Sequence, residues 1–180
     1  MIKFGKVVFM GVVVGGFLAG CGEADVQKVD NGTQKQEQKV DKKEEKKEQK
    51  NEFKIGETAS VDGMEVTINN ISYVDPAEYL DTEQDKVLRL DVSVKNNAAD
   101  NGFVDTSEFQ VYSGDEKSEF YFGHDKSNLG GGELKKGKSL KMTLDFDVPE
   151  SDAYEIFYEP SFSFKDNAEI KFNVSKGDIK

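Results

Sequence analysis

From Phe53 to the C-terminus, apolar side chains recur at every second position. Leu88, Leu90, Val92 and Val94 alternate with Arg89, Asp91, Ser93 and Lys95. Leu140, Met142, Leu144, Phe146 and Val148 alternate with Lys141, Thr143, Asp145 and Asp147, and the sets Tyr154-Ile156-Tyr158 and Ile170-Phe172-Val174 repeat the pattern. A period of two sends one set of side chains to a buried face and the other toward water, which predicts half-buried antiparallel strands. On this reading Asp91, Asp145 and Asp147 are outward positions that keep the surface soluble. Met64, Val66 and Ile68 begin a further strand, but Ile71 and Tyr73 have the opposite parity. One extra residue near Asn69-Asn70, a bulge, returns them to a common face. Turn signals at Asp62-Gly63, Asn96-Asn97, Asn101-Gly102, Ser113-Gly114-Asp115, Gly130-Gly131-Gly132, Lys136-Gly137 and Pro149 separate the runs. No window carries an apolar stripe at helical spacing. About seven to eight strands over residues 53–180 predict an all-β fold, an antiparallel β-sandwich.

The N-terminal part has two other patterns. Lys3 and Lys6 precede the apolar run Val7 to Leu18. As a helix, Val7 to Ala19 reaches only ~20 Å, short of a ~30 Å bilayer core, so the run fits an export signal better than a span. It ends in Leu18-Ala19-Gly20-Cys21, the order of a bacterial lipobox: small residues admit the signal peptidase, and the Cys21 thiol accepts diacylglycerol. Residues 1–20 are thus expected to be a lipoprotein signal peptide, and Cys21 the first residue of the mature chain, anchored in the membrane by its lipid. Two acyl chains suffice for stable anchoring where one does not. Residues 21–52 are rich in Lys, Glu and Gln and have no aromatics, so they bury too little apolar surface to offset ordering entropy. They are expected to form a disordered tether reaching ~30 Å as a coil and ~100 Å when stretched.

Composition narrows the function. The 180 residues include 24 Lys+Arg against 35 Asp+Glu, a net charge of −11 that disfavours nucleic acid as a partner. One cysteine, one histidine and no tryptophan exclude a disulfide framework and a Cys-rich zinc site, and no cofactor is indicated. His124, between Gly123 and Asp125 and near Ser127, lacks the nucleophile elbow of a hydrolase and is expected to be a solvated loop histidine. Gly130-Gly131-Gly132 lacks the Lys-Ser/Thr of a phosphate loop and is expected to be a mobile hairpin connection. In the loop of residues 75–85, Asp81, Glu83 and Asp85 offer hard oxygen ligands suited to calcium, without the glycine and closing glutamate of an EF-hand. Phe120-Tyr121-Phe122 and Phe157 to Phe164 place aromatics on both faces of short strands, a pattern that marks a partner or glycan contact where one face is left exposed.

Several segments also carry a family resemblance. Ile55-Gly56-Glu57-Thr58-Ala59-Ser60-Val61 opens the domain. Leu88 to Lys95 forms a central strand ending in Asn96, and Phe109-Gln110-Val111-Tyr112 precedes a Gly-Asp turn. Leu134-Lys135-Lys136-Gly137-Lys138 leads into Leu144-Asp145-Phe146-Asp147-Val148-Pro149. Together they resemble bacterial lipoprotein domains of unknown function, sometimes mislabelled after telomeric repeat-binding factor 2. The resemblance implies an immunoglobulin-like sandwich on a tethered surface protein, similar to secreted immunogenic sandwich proteins of mycobacteria, and it brings no catalytic motif. The expectation is a non-catalytic module on the extracytoplasmic face of the cell membrane, binding a protein or wall ligand. A calcium-dependent adhesion domain and an envelope enzyme are the alternatives.

Overall fold

The computed structural model describes residues 24–29, 51–161, 163 and 168–180. Among them are twelve strands and two single-turn 3₁₀ helices. In chain order the strands are β1 (Val26–Val29), β2 (Glu52–Lys54), β3 (Thr58–Val61), β4 (Met64–Val74), β5 (Lys86–Asn96) and β6 (Gly102–Asp105). They continue with β7 (Phe109–Ser113), β8 (Glu116–Phe120), β9 (Gly131–Leu134), β10 (Ser139–Val148), β11 (Ala153–Tyr158) and β12 (Ile170–Ser175).

Ten strands follow the hydrogen-bonded order β1-β3-β4-β5-β10-β8-β7-β11-β12-β2, and β6 pairs with β9 apart from them. β8 is the fold-over point. Its end pairs with β10 at Phe120↔Phe146 and Glu119↔Asp147, while Glu116 to Ser118 pair with β7. The layers β1-β3-β4-β5-β10 and β7-β11-β12-β2 thus close on one core, a β-sandwich. Leu88, Leu90, Val92, Leu144, Phe146, Tyr154, Ile156, Tyr158 and Phe172 are all buried in it. Phe120 stacks on Phe146 with centroids 4.5 Å apart, and Phe109 tilts against Tyr158 at 4.9 Å. Each fully buried side chain of this size contributes about 1.5–3 kcal/mol.

The anticipated bulge is present: β4 and β5 shift register between Ile68 and Asn70, and Ile68 and Ile71 both reach the core. β3 covers only the first part of β4. The C-terminus takes the rest, with Lys180 N–H donating to Ile71 O (3.1 Å) and Tyr73 N–H to Lys180 O (3.3 Å).

Two expectations need correction. From β2 onward the strands outnumber the seven or eight anticipated over residues 53–180, because β2, β6 and β9 are only three or four residues long, too short to show a period. The folded unit also begins before residue 53, inside the segment assigned to a disordered tether. β1 pairs antiparallel with β3 from Val26↔Val61 to Val29↔Thr58, and Ala24 and Val26 are buried. β3 would otherwise be a bare edge, and a short stretch with apolar residues at Ala24, Val26 and Val29 suffices to cover it.

Candidate functional site

The sequence places Asp145 on the outward face of β10, and the register sets it opposite Arg89 of β5. Yet Asp145 is 0% exposed and Asp147 only 8%, so neither is the solvated surface acid that alternation predicts. The segment after β8, residues 121–129, folds back over this face and covers it. Asn128 holds it there in a left-handed conformation (φ 54°). Its Oδ1 accepts from Asp145 N–H at 2.8 Å, and its Nδ2 donates to Tyr121 O (2.6 Å) and Asp145 O (3.1 Å). Tyr121 N–H donates to Asp145 O at 2.8 Å and Asn128 N–H to Thr143 O at 2.8 Å. A carboxamide carries the same donor and acceptor as a peptide group, so Asn128 stands in for a neighbouring strand along β10.

Beneath this loop the buried carboxylate is fully engaged. Arg89 Nε and an Nη each donate to Asp145 at 2.7 Å in a bidentate pair. His124 Nδ1 lies 2.7 Å from the same carboxylate, and Nε2 lies 3.1 Å from Asp75 O. Burial pushes the Asp145 carboxyl upward, but the hydrogen bonds from Arg89 and His124 outweigh it and hold the group below the usual carboxylate range. The bond to Asp145 in turn raises the Arg89 guanidinium further. His124 is thus built into the fold and is not the solvated loop residue expected. Its far nitrogen faces a backbone carbonyl, and the Ser127 hydroxyl donates to His124 O, away from the ring.

A second carboxylate ties down the 75–85 loop. Asp147 accepts from Glu83 N–H (2.5 Å) and Gln84 N–H (3.2 Å), while Asp85 accepts from Glu150 N–H (3.3 Å). Tyr121 OH accepts from Ala77 N–H at 2.7 Å and donates to Leu80 O, and Tyr79 OH donates to Gly123 O at 2.5 Å. The acidic run therefore serves as a strap. Asp81, Glu83 and Asp85 are not gathered for calcium, and among the described residues no group of three or more His, Cys, Asp or Glu could hold a metal ion.

The two bonded loops show solvent the charges of Asp75, Glu78, Asp81, Glu83, Asp85, Asp125 and Lys126, and among them four large apolar side chains. Tyr79 is 72% exposed, Phe122 71%, Leu129 63% and Leu80 42%. The other anticipated aromatics are packed: Phe120 on Phe146, Tyr121 beneath the loops, and Phe157 edge-on to Tyr112 at 5.4 Å. Gly131 and Gly132 belong to β9 and are not a mobile connection; a Cβ at Gly131 would meet Val104 O at 2.8 Å. Cys21 and the lipobox residues Leu18, Ala19 and Gly20 lie outside the described residues, as do Phe162 and Phe164. Among the described residues no helix is long and apolar enough to cross a membrane.

Two anchors escaped the sequence reading. Asn96, at the other end of β5, is 0% exposed; its Nδ2 donates to Leu134 O (2.7 Å) and Asp100 O (2.9 Å), and its Oδ1 accepts from Ala98 N–H (2.9 Å). The cluster at Asp145 had a usable signal. Arg89 is the sole arginine of a lysine-rich chain, and arginine is the cation whose planar fork suits a buried carboxylate.

Comparison with known proteins gives relatives of the same kind. The chain is 34% identical over 134 residues to the uncharacterized lipoprotein YcdA of Bacillus subtilis (strain 168), matching 72% of this chain and 38% of that protein. The crystal structure of YcdA superposes with a TM-score of 0.60 at 30% identity, covering 67% of this chain and 39% of the other. The chain thus spans under two-fifths of the length of that relative. The yjhA protein of Bacillus subtilis (TM-score 0.52, 20% identity, 68% of this chain and 98% of that one) shares the fold. So does a candidate lipoprotein of Staphylococcus aureus NCTC 8325 (TM-score 0.50, 16% identity, 71% and 94%). Residues 53–170, from β2 to the start of β12, match the Domain of unknown function (DUF4352), and the chain belongs to that family.

Proposed function

We propose that this chain is a lipid-anchored, extracytoplasmic binding module without catalytic activity, held at the membrane through Cys21. A relative named as a lipoprotein supports the anchoring, together with the Leu18-Ala19-Gly20-Cys21 order after an apolar run. The observation that carries the binding role is the pair of exposed rings, Tyr79 and Phe122, on loops fixed from below by Asp145 and Asp147. Rigid aromatics are effective contact residues because little side-chain entropy is lost when a partner covers them. The lack of a catalytic role rests on how the polar groups are spent: the Arg89–Asp145–His124 cluster bonds inward and to backbone, leaving no oriented nucleophile beside the imidazole. The partner is a protein or wall polymer outside the cytoplasmic membrane.

A photo-crosslinking amino acid placed in turn at positions 79, 122 and 117 of the full-length protein tests this on intact cells. Positions 79 and 122 should yield one common adduct, absent from position 117 on the exposed part of β8. Identical patterns from all three positions, or none from 79 and 122, remove the aromatic surface from the reading. Acyl labelling tests the anchor separately: Cys21→Ala should abolish it.

A further inference from the structure

The docking of β1 limits how far Cys21 can stand from the fold. Ala24 is 1% exposed and Val26 8%, and the ladder from Val26↔Val61 to Val29↔Thr58 ties the arm to β3. Asp25 N–H donates to Asp62 Oδ1 (3.3 Å), Asp62 N–H donates to Asp25 O (3.2 Å), and Lys28 pairs with Glu57 at 2.6 Å. That ion pair also holds the Glu57 carboxyl below its usual range. Cys21 precedes the buried Ala24 by three residues, so the chain between them spans at most ~11 Å. The charged stretch 30–50 cannot lengthen this link, because it lies beyond β1 and both its flanks are bound to the sandwich. Val29 pairs with Thr58, and Asn51 accepts from Lys171 N–H (2.9 Å) and donates to Glu169 O (3.1 Å).

We infer that the domain sits directly on the bilayer surface, with the pole where β1 enters facing the lipid headgroups and the Tyr79–Phe122 pole facing away. This rests on the lipid anchor at Cys21 proposed above. The entry pole is made by the Asp62-Gly63 turn, the segment from Ala98 to Phe103 and the turn from Lys135 to Lys138, brought together around Asn96. Gly137 N–H donates to Asn96 O at 2.6 Å, and Asn97 N–H donates to Gly63 O at 2.8 Å. Lys135, Lys136 and Lys138 are exposed there among the acids Asp25, Asp100 and Glu133, and Phe103 is 45% exposed beside them, so the short link and not a net positive charge sets the orientation. β5 runs from this pole at Asn96 to the opposite one at Lys86, a rise of ~33 Å.

The acylated chain in vesicles of phosphatidylglycerol and phosphatidylcholine, with an energy-transfer acceptor on a fraction of the headgroups, tests the orientation. A donor dye is placed on Ala99→Cys at the entry pole or on Asp81→Cys at the far loop, both exposed positions. Flotation with the vesicles reads the anchor itself, and its loss would sink the lipid reading on which the orientation depends. Given flotation, transfer should be severalfold stronger from position 99 than from position 81. Equal transfer from the two would overturn the orientation while leaving the anchor intact. Val26→Asp, which puts a charge under the arm, should equalise the two signals without reducing flotation. If the difference survives in that variant with β1 released from protection against hydrogen exchange, the arm does not set the orientation.

Discussion

The outer face of the β5–β10 pair has two halves that obey the same alternation and behave as opposites. Toward Asn96, Asp91 lies across from Thr143 in an open groove with Asn69 and Lys141, and its contacts are long: 3.3 Å from Thr143 Oγ1 and 3.4 Å from Asn70 Nδ2. Toward Lys86, Asp145 lies across from Arg89 with two 2.7 Å bonds to it and is sealed from solvent. Both acids point away from the core. The difference is a roof: residues 121–129 cover one half and leave the other wet. Alternation therefore reports which face a side chain takes, and a distant loop decides whether that face is surface.

The sharpest way to break this comparison is Asp145→Ala. It leaves Arg89 without its carboxylate under the roof, and breaking a buried pair in this way costs about 3 kcal/mol, the low end of the usual range because Arg89 keeps some solvent contact. For a domain of this size the thermal midpoint should fall by about 10 °C. A fall no greater than that of Asp91→Ala would show that the two halves are energetically alike.

The same carboxylate gives the comparison a pH signature. Its folded pKa is depressed, so its contribution is fully present above the unfolded value of about 3.9 and is lost as pH falls through the lower folded value. The stability difference between the native protein and Asp145→Asn, followed by denaturant titration, should be flat from neutral pH to about 5 and shrink below about 4. A difference that widens toward acid would mean that burial, which raises the pKa, outweighs the hydrogen bonds.

Asn128 tests the roof itself. Asn128→Ala removes the amide bonds to Asp145 and Tyr121 and puts an alanine at φ 54°, together costing about 2 kcal/mol. Asn128→Gly loses the same bonds but fits that backbone, so it should cost less by thermal unfolding. Equal losses would assign the whole effect to the bonds. Hydrogen exchange should show residues 121–129 opening first in both variants.

These contrasts mark how far the sequence could be read. The long strands β4, β5 and β10, the bulge after Ile68 and the turn at Asp62-Gly63 were all legible, because each follows from parity or from local backbone preference. β1 was not, since four residues give too short a pattern and their pairing with Thr58 to Val61 depends on an edge made elsewhere. The roof was not legible either: Asn128 acts through a carboxamide meeting β10 from seventeen residues away, a contact that no local preference encodes. Only the solitary Arg89 pointed to it.

Asp91→Asn should have the smallest effect, and it fixes the open half of the comparison. The side chain keeps its size and can still bond Thr143 and Asn70, and the charge it loses is partly solvated. Substitutions at such surface positions stay within about 0.5 kcal/mol. The midpoint should therefore move by at most about 2 °C, against about 10 °C for the equivalent acid under the roof. A larger loss would mean that the groove at Asn69 and Lys141 shields Asp91 more than its long contacts indicate. The two halves would then differ in degree, with the roof adding order to a face that the pairing of β4, β5 and β10 already protects.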